Sequence, residues 1–164
     1  MFLTNKESFN QPGTFTVING YADGSKTDML FEIATDGIAE HKNIVFITLE
    51  HDEAYVIQCM SDLGISNTAS KKFLNIKCLP NKSTVGDIVQ YVGVVESKNN
   101  TIVDVILVDG LDLLTYRMGL VYIPVHIRST PNTELQKYVK LGNYICVGTS
   151  QCTSGDTESV MTYN

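Results

Sequence analysis

No apolar run in this chain is long enough to cross a membrane, and its first residues, MFLTNKESFN, lack the charged-then-apolar order of a secretory signal. The expectation is a cytoplasmic protein with no membrane partner. Cysteine is scarce: Cys59, Cys78, Cys146 and Cys152 include no C-x-x-C pair and no zinc-ligand spacing. Cys78 and Cys146 stand inside apolar runs, so both are expected in the core as small apolar side chains. The three histidines, His41, His51 and His126, are too scattered to suggest a metal site. Basic charge is short as well, with 12 Lys and Arg against 18 Asp and Glu, a net charge of -6. That balance excludes a broad electrostatic grip on nucleic acid, because phosphate neutralisation supplies most non-specific affinity. It leaves room only for a local nucleic-acid contact. No repeat, low-complexity tract or Pro/Gly-rich linker divides the chain, so residues 1–164 are expected to form a single domain.

What is present fits an ordinary globular protein: 43% of residues are hydrophobic and 18% charged. Phe15–Asn19 reads as a buried strand, followed by the turn-rich stretch Gly20–Ser25. In Thr27–Glu40 the residues Leu30, Ile33, Ala34 and Ile38 recur at helical spacing. Asn43–Leu49 is an unbroken β-branched and aromatic run, the pattern of a strand covered on both faces. His51–Leu63 follows as a helix with Gly64 as its stop, then Phe73–Leu79 as a strand before Pro80. Ser83 or Thr84 is placed to cap a helix running to about Val95. Ile102–Val108 is the next strand, Thr133–Leu141 a short helix ended by Gly142, and Tyr144–Val147 a fifth strand. Such alternation predicts an α/β fold with a mainly parallel sheet of about five strands and helices on both faces.

Between the first strand and the first helix lies Gly20-Tyr21-Ala22-Asp23-Gly24-Ser25-Lys26-Thr27. It matches the P-loop pattern G-x-x-x-x-G-K-[ST] except that Ser25 replaces the second glycine. In such a loop successive backbone N–H groups, from Gly20 through Asp23, Gly24 and Ser25, wrap a phosphate, and the helix N-terminus adds partial positive charge. Lys26 is placed to reach the β- and γ-phosphates and the Thr27 hydroxyl to ligate Mg²⁺, which makes ATP with Mg²⁺ the expected ligand. A side chain at position 25 is expected to crowd the loop or to demand less favourable backbone angles. Asp23 adds a negative charge beside the phosphates.

Three further segments follow in order. Ile44-Val45-Phe46-Ile47-Thr48-Leu49-Glu50 is a strand ending in glutamate, and Val105-Ile106-Leu107-Val108-Asp109 a strand ending in aspartate. Tyr144-Ile145-Cys146-Val147-Gly148-Thr149-Ser150-Gln151 is a strand ending in a Ser-Gln pair. With the P-loop-like segment, this order resembles the RecA-like core of the DnaB-type replicative helicases, from roughly Pro12 to Gln151, with an altered Walker A motif. The resemblance implies a three-layer RecA-like P-loop domain and roles for single residues. Glu50 would polarise the attacking water, and Asp109, the Walker B aspartate, would bind the Mg²⁺ water shell. Gln151 would sense the γ-phosphate. Asp112, just past the strand, is a weaker alternative to Asp109, and Asp104 lies too early in it.

The resemblance breaks off after Gln151, where thirteen residues remain. That is too few for the family's further strands and DNA-binding loops, so a truncated core is expected. Without those strands Phe15–Asn19 would be a bare edge. Ser159–Tyr163 (SVMTY), or a partner chain, is the expected cover. Arg117 and Arg128 are the only arginines; either could touch DNA or a neighbour's nucleotide, or be a solvated loop charge. Lys71, Lys72 and Lys77 read as a solvated face. Two functions follow. One is a slow Mg²⁺-dependent ATPase of minimal RecA-like form, in or on DNA replication or recombination. The other is a catalytically degenerate relative that binds and regulates a helicase or recombinase, or associates with itself. A third, an unrelated doubly wound binding module, would require the motif order to be coincidence.

Overall fold

The computed structural model describes residues 11–21, 24–65, 67–80, 82–118, 121–124, 130–151 and 158–164. Its centre is a six-stranded sheet in the order β3-β2-β4-β7-β1-β8. The strands are β1 (Phe15–Gly20), β2 (Ile44–Thr48), β3 (Leu74–Cys78), β4 (Val105–Asp109), β7 (Ile145–Gln151) and β8 (Ser159–Tyr163). Five of them run parallel, and β8 alone is antiparallel, paired to β1. A separate antiparallel hairpin joins β5 (Thr115–Met118) to β6 (Val121–Pro124).

The central strands are apolar throughout because both faces are covered. Every residue of β2 and β4 is buried. Side chains alternate across the sheet, so each strand feeds two cores. Val45 and Ile47 of β2, with Ile106 and Val108 of β4, meet Val85, Ile88, Val92 and Val95 of α4 (Val85–Asn99) and Leu135 and Val139 of α5 (Thr130–Gly142). Ile44 and Phe46, with Val105 and Leu107, meet Leu30, Phe31 and Ala34 of α1 (Ser25–Ala39) and Val56 and Met60 of α2 (Glu53–Asp62). Phe31 and Phe46 stack at 5.4 Å between ring centroids. The expected α1 stripe is therefore shifted: Phe31 is fully buried, whereas Ile33 is only partly so.

Local chemistry sets the element ends. Asp52 caps α2 by accepting the Tyr55 N–H at 2.8 Å, and Gly64 beyond it takes φ 81°. Thr84, rather than Ser83, caps α4, its N–H donating to the Asp87 carboxylate at 2.7 Å in a capping box. Gly142 does not stop α5; the left-handed residue there is Asn143, at φ 58°. Phe73 belongs to a helix unseen in the sequence, α3 (Asn67–Phe73), and β3 begins one residue later. Cys146 is buried as expected, but Cys78 is half-buried. The Lys71, Lys72 and Lys77 side chains are exposed.

The flank of β1 is covered by this chain's own Ser159–Tyr163. Thr16 and Thr162 hydroxyls lie 3.0 Å apart across the ladder, and Phe15 stacks on Tyr163 at 6.0 Å. Among the described residues, no helix is long and apolar enough to cross a membrane.

Candidate functional site at the carboxyl ends of the parallel strands

Four of the parallel strands end at one place. Gly20 closes β1, Asp109 closes β4, Gln151 closes β7, and Glu50 lies two residues past Thr48 of β2. Ligands of open α/β sheets bind at this carboxyl edge. The pairing register sets Thr48 beside Asp109 and Gly20 beside Gln151.

Asp109 is the hub. Its side chain is 1% exposed, and three hydroxyls surround it. Thr27 and Thr149 donate to Oδ1 at 3.0 and 3.1 Å, and Thr48 donates to Oδ2 at 3.3 Å. A buried carboxylate requires such donors to offset lost hydration. Thr149 Oγ1 also accepts the Gly110 N–H at 2.9 Å, which ties β7 to the end of β4. Thr48 Oγ1 accepts the N–H groups of Glu50 and His51 at 3.1 and 2.9 Å, fixing the turn that carries both.

The first turn of α1 supplies the other half. Gly24 takes the left-handed conformation at φ 82° before the helix, and Ser25 is the first helical residue. The unfavourable angle expected at Ser25 therefore falls on a glycine, and the Ser25 side chain is exposed rather than crowded. The Lys26 ammonium donates to the Tyr21 carbonyl, folding the side chain across the loop. Asp23 lies outside the described residues.

Around this hub the carboxylates interact. Partial burial and the neighbouring charges of Asp109 and Asp112 push the Glu50 carboxyl above its ordinary range, while His51 and Lys26 pull it down. Glu50, His51 and Asp109 each offer a ligand atom, all within 4.8 Å of one another. His51 Nε2 stands 3.7 Å from Asp109 Oδ2, and its ring stacks on Tyr55 at 4.3 Å. Gly110, at φ 93°, lets the Glu50 side chain lie close, since a Cβ there would stand 3.1 Å from Glu50 Cγ.

The structure thus brings Lys26, Thr27, Glu50, Asp109 and Gln151 to one edge. Asp104 sits at the other end of β4, accepting the Asn43 N–H at 2.8 Å, and has no place in the site. Asp112 accepts the Gln151 N–H at 3.2 Å, which makes it a support for Gln151. Arg117 falls on β5 opposite Tyr122, and Arg128 and His126 lie outside the described residues. Sequence reasoning missed Thr48, Thr149 and His51. The threonines carried one signal, a hydroxyl near the end of an otherwise apolar strand. His51 carried none, because its neighbour Asp109 is distant in sequence.

Among the described residues, a six-stranded, mainly parallel sheet flanked by helices on both faces defines an α/β fold. No family model and no curated protein matches the sequence. Among solved structures the chain is similar to a DnaB-like replicative helicase described with its interactions with primase, with a TM-score of 0.72 and 16% identity. The match covers 88% of this chain and 41% of that one, so the chain spans less than half the helicase's length.

Proposed function

We propose that the protein binds ATP with Mg²⁺ at the carboxyl edge of its sheet, through the loop from Gly20 to Thr27. The observation that carries this reading is the 3.0 Å hydrogen bond from the Thr27 hydroxyl to Asp109. It joins two groups 82 residues apart at the start of α1 and the end of β4. A hydroxyl and a buried carboxylate in contact are the oxygen donors a hard divalent cation takes. Thr27 and Asp109 would hold Mg²⁺, which when bound neutralises phosphate charge. Backbone N–H groups of the loop and Lys26 would hold the phosphates, with Lys26 exchanging the Tyr21 carbonyl for phosphate oxygen. In this reading Glu50 would orient water, and Gln151, paired beside Gly20, would contact the terminal phosphate.

Slow hydrolysis is the proposed activity. The likeness to a replicative helicase makes DNA replication or recombination the proposed setting. Phosphate release from ATP in the presence of Mg²⁺ tests turnover. Glu50→Gln should abolish release while leaving ATP binding intact, and release unaffected by it would remove the water-activating role.

A second reading has its own observation: the Lys26 ammonium is engaged by the protein's own Tyr21 carbonyl. In that reading the fold serves to bind and regulate a helicase or recombinase, and ATP binding without turnover would favour it.

A further inference from the structure

We propose that His51, Glu50 and Asp109 form a binding site for a transition-metal dication of the zinc or cobalt class, filled without nucleotide. The site shares Asp109 with the phosphate-loop reading above but goes beyond it, in a different cation and a different set of ligands.

Asp109 presents its two oxygens to different neighbours. Oδ1 takes the Thr27 and Thr149 hydroxyls at 3.0 and 3.1 Å. Among the described residues Oδ2 receives one hydroxyl, from Thr48 at 3.3 Å, and faces His51 Nε2 at 3.7 Å. That last distance is too long for an N–H···O hydrogen bond. It suits two ligands of one ion: with bonds of about 2.1 Å it corresponds to an angle of roughly 120° at the metal. Glu50 completes a triangle of ligand atoms with no side longer than 4.8 Å. An ion spans about 4.2 Å between opposite ligands, so the exposed Glu50 carboxylate needs only a small rotation to close on it.

His51 is held ready for this task. Its N–H donates to Thr48 Oγ1 at 2.9 Å, and its ring stacks on Tyr55 at 4.3 Å. A ligand already ordered loses less freedom on binding. Charge favours a cation here. Burial, then the charges of Asp109 and Asp112, push the Glu50 carboxyl above its ordinary range, and His51 and Lys26 offset only part of this. The Lys26 ammonium is turned to the Tyr21 carbonyl. Mg²⁺ takes oxygen donors, whereas an imidazole nitrogen selects zinc, cobalt and their neighbours, so His51 sets the class of the metal.

The test is calorimetric titration of Co²⁺ into the nucleotide-free protein with excess Mg²⁺ present, followed also by visible absorption. Wild type should bind one Co²⁺, with the d–d bands of nitrogen and oxygen ligation and no thiolate charge-transfer band from the cysteines. His51→Gln keeps a polar side chain of similar size and should weaken Co²⁺ by about tenfold or more. Glu50→Gln should weaken it too, an independent reading if the histidine variant does not fold. Lys26→Ala should bind Co²⁺ as wild type does. No Co²⁺ binding by wild type in that Mg²⁺, a thiolate band, unchanged affinity in either glutamine variant, or loss of binding in Lys26→Ala overturns the proposal. The phosphate-loop reading stands or falls separately, on Lys26-dependent binding of nucleotide with Mg²⁺.

Discussion

Gly148 sits in β7 directly beneath Leu111, and replacing its hydrogen with a methyl group offers a test whose size the geometry sets. An alanine Cβ at 148 would stand 2.4 Å from Leu111 Cδ1, 2.6 Å from Cγ and 3.0 Å from Cδ2. Carbon atoms pack best at about 3.5–4.0 Å, so the nearest pair overlaps by roughly 1 Å or more. Leu111 cannot swing into solvent, because it is fully buried in the core shared with Ile106 and Val108. Gly148 cannot retreat, because it is paired to Val108 on one side and Val17 on the other. Overpacking of this kind costs about 1–3 kcal/mol. For a chain of this size that is a melting-temperature fall of roughly 2–12 °C.

The perturbation also reaches the site. Leu111 precedes Asp112, which holds the Gln151 N–H, and follows Gly110, against which Glu50 lies. Gly148→Ala should therefore weaken ATP binding as well as stability. Thermal and denaturant unfolding of Gly148→Ala, Leu111→Ala and the double variant form the assay. Leu111→Ala alone should cost about 2–5 kcal/mol, and the double variant should cost less than the sum. Wild-type stability in Gly148→Ala, or strict additivity in the cycle, would refute the contact and the reasoning built on it.

Three further outcomes follow from other parts of the molecule. Thr27→Val keeps the shape of a buried side chain but removes one donor to Asp109. It should cost about 1.5–3 kcal/mol of stability in denaturant unfolding, and calorimetry should show the Mg²⁺-dependent part of ATP binding gone. Phe46→Ala removes a fully buried ring stacked on Phe31, and should lower stability by about 3–5 kcal/mol in the same unfolding assay. Burial pushes the Cys146 thiol far up, whereas Cys59 is part-exposed. Mass spectrometry after iodoacetamide treatment near pH 8 should find Cys59 labelled in the native protein and Cys146 labelled only in denaturant.

Much of this arrangement was legible because it rests on local pattern. The runs in Ile44–Thr48 and Val105–Asp109 are apolar without alternation, short and rich in β-branched residues, which is the composition of a strand covered on both faces. The cover of Phe15–Asn19 by Ser159–Tyr163, expected beside the alternative of a partner chain, followed from the need to pair backbone groups that the absence of the family's later strands would leave bare. Boundaries were less legible. Asn143 rather than Gly142 takes the left-handed turn, since asparagine tolerates that conformation too. The helix Asn67–Phe73 has no apolar period to betray it, and in Thr115–Pro124, where Met118 pairs with Val121, the signal passed over is the glycine-first pair Gly119-Leu120 in the sequence. At the site, Lys26 and Thr27 stood out in a P-loop-like turn and Asp109 at the end of an apolar strand, whereas Glu50 and Gln151 were singled out by the resemblance to the helicase core. Thr48, Thr149 and His51 acquire meaning only through Asp109, a contact that sequence spacing does not encode.

The measurement that reaches the central claim most directly is isothermal titration of ATP-γ-S with Mg²⁺ into wild type and Lys26→Ala. The account predicts saturable binding by wild type, lost or greatly weakened in Lys26→Ala and when Mg²⁺ is chelated. No heat of binding by wild type at millimolar nucleotide, or equal binding by both proteins, would contradict it.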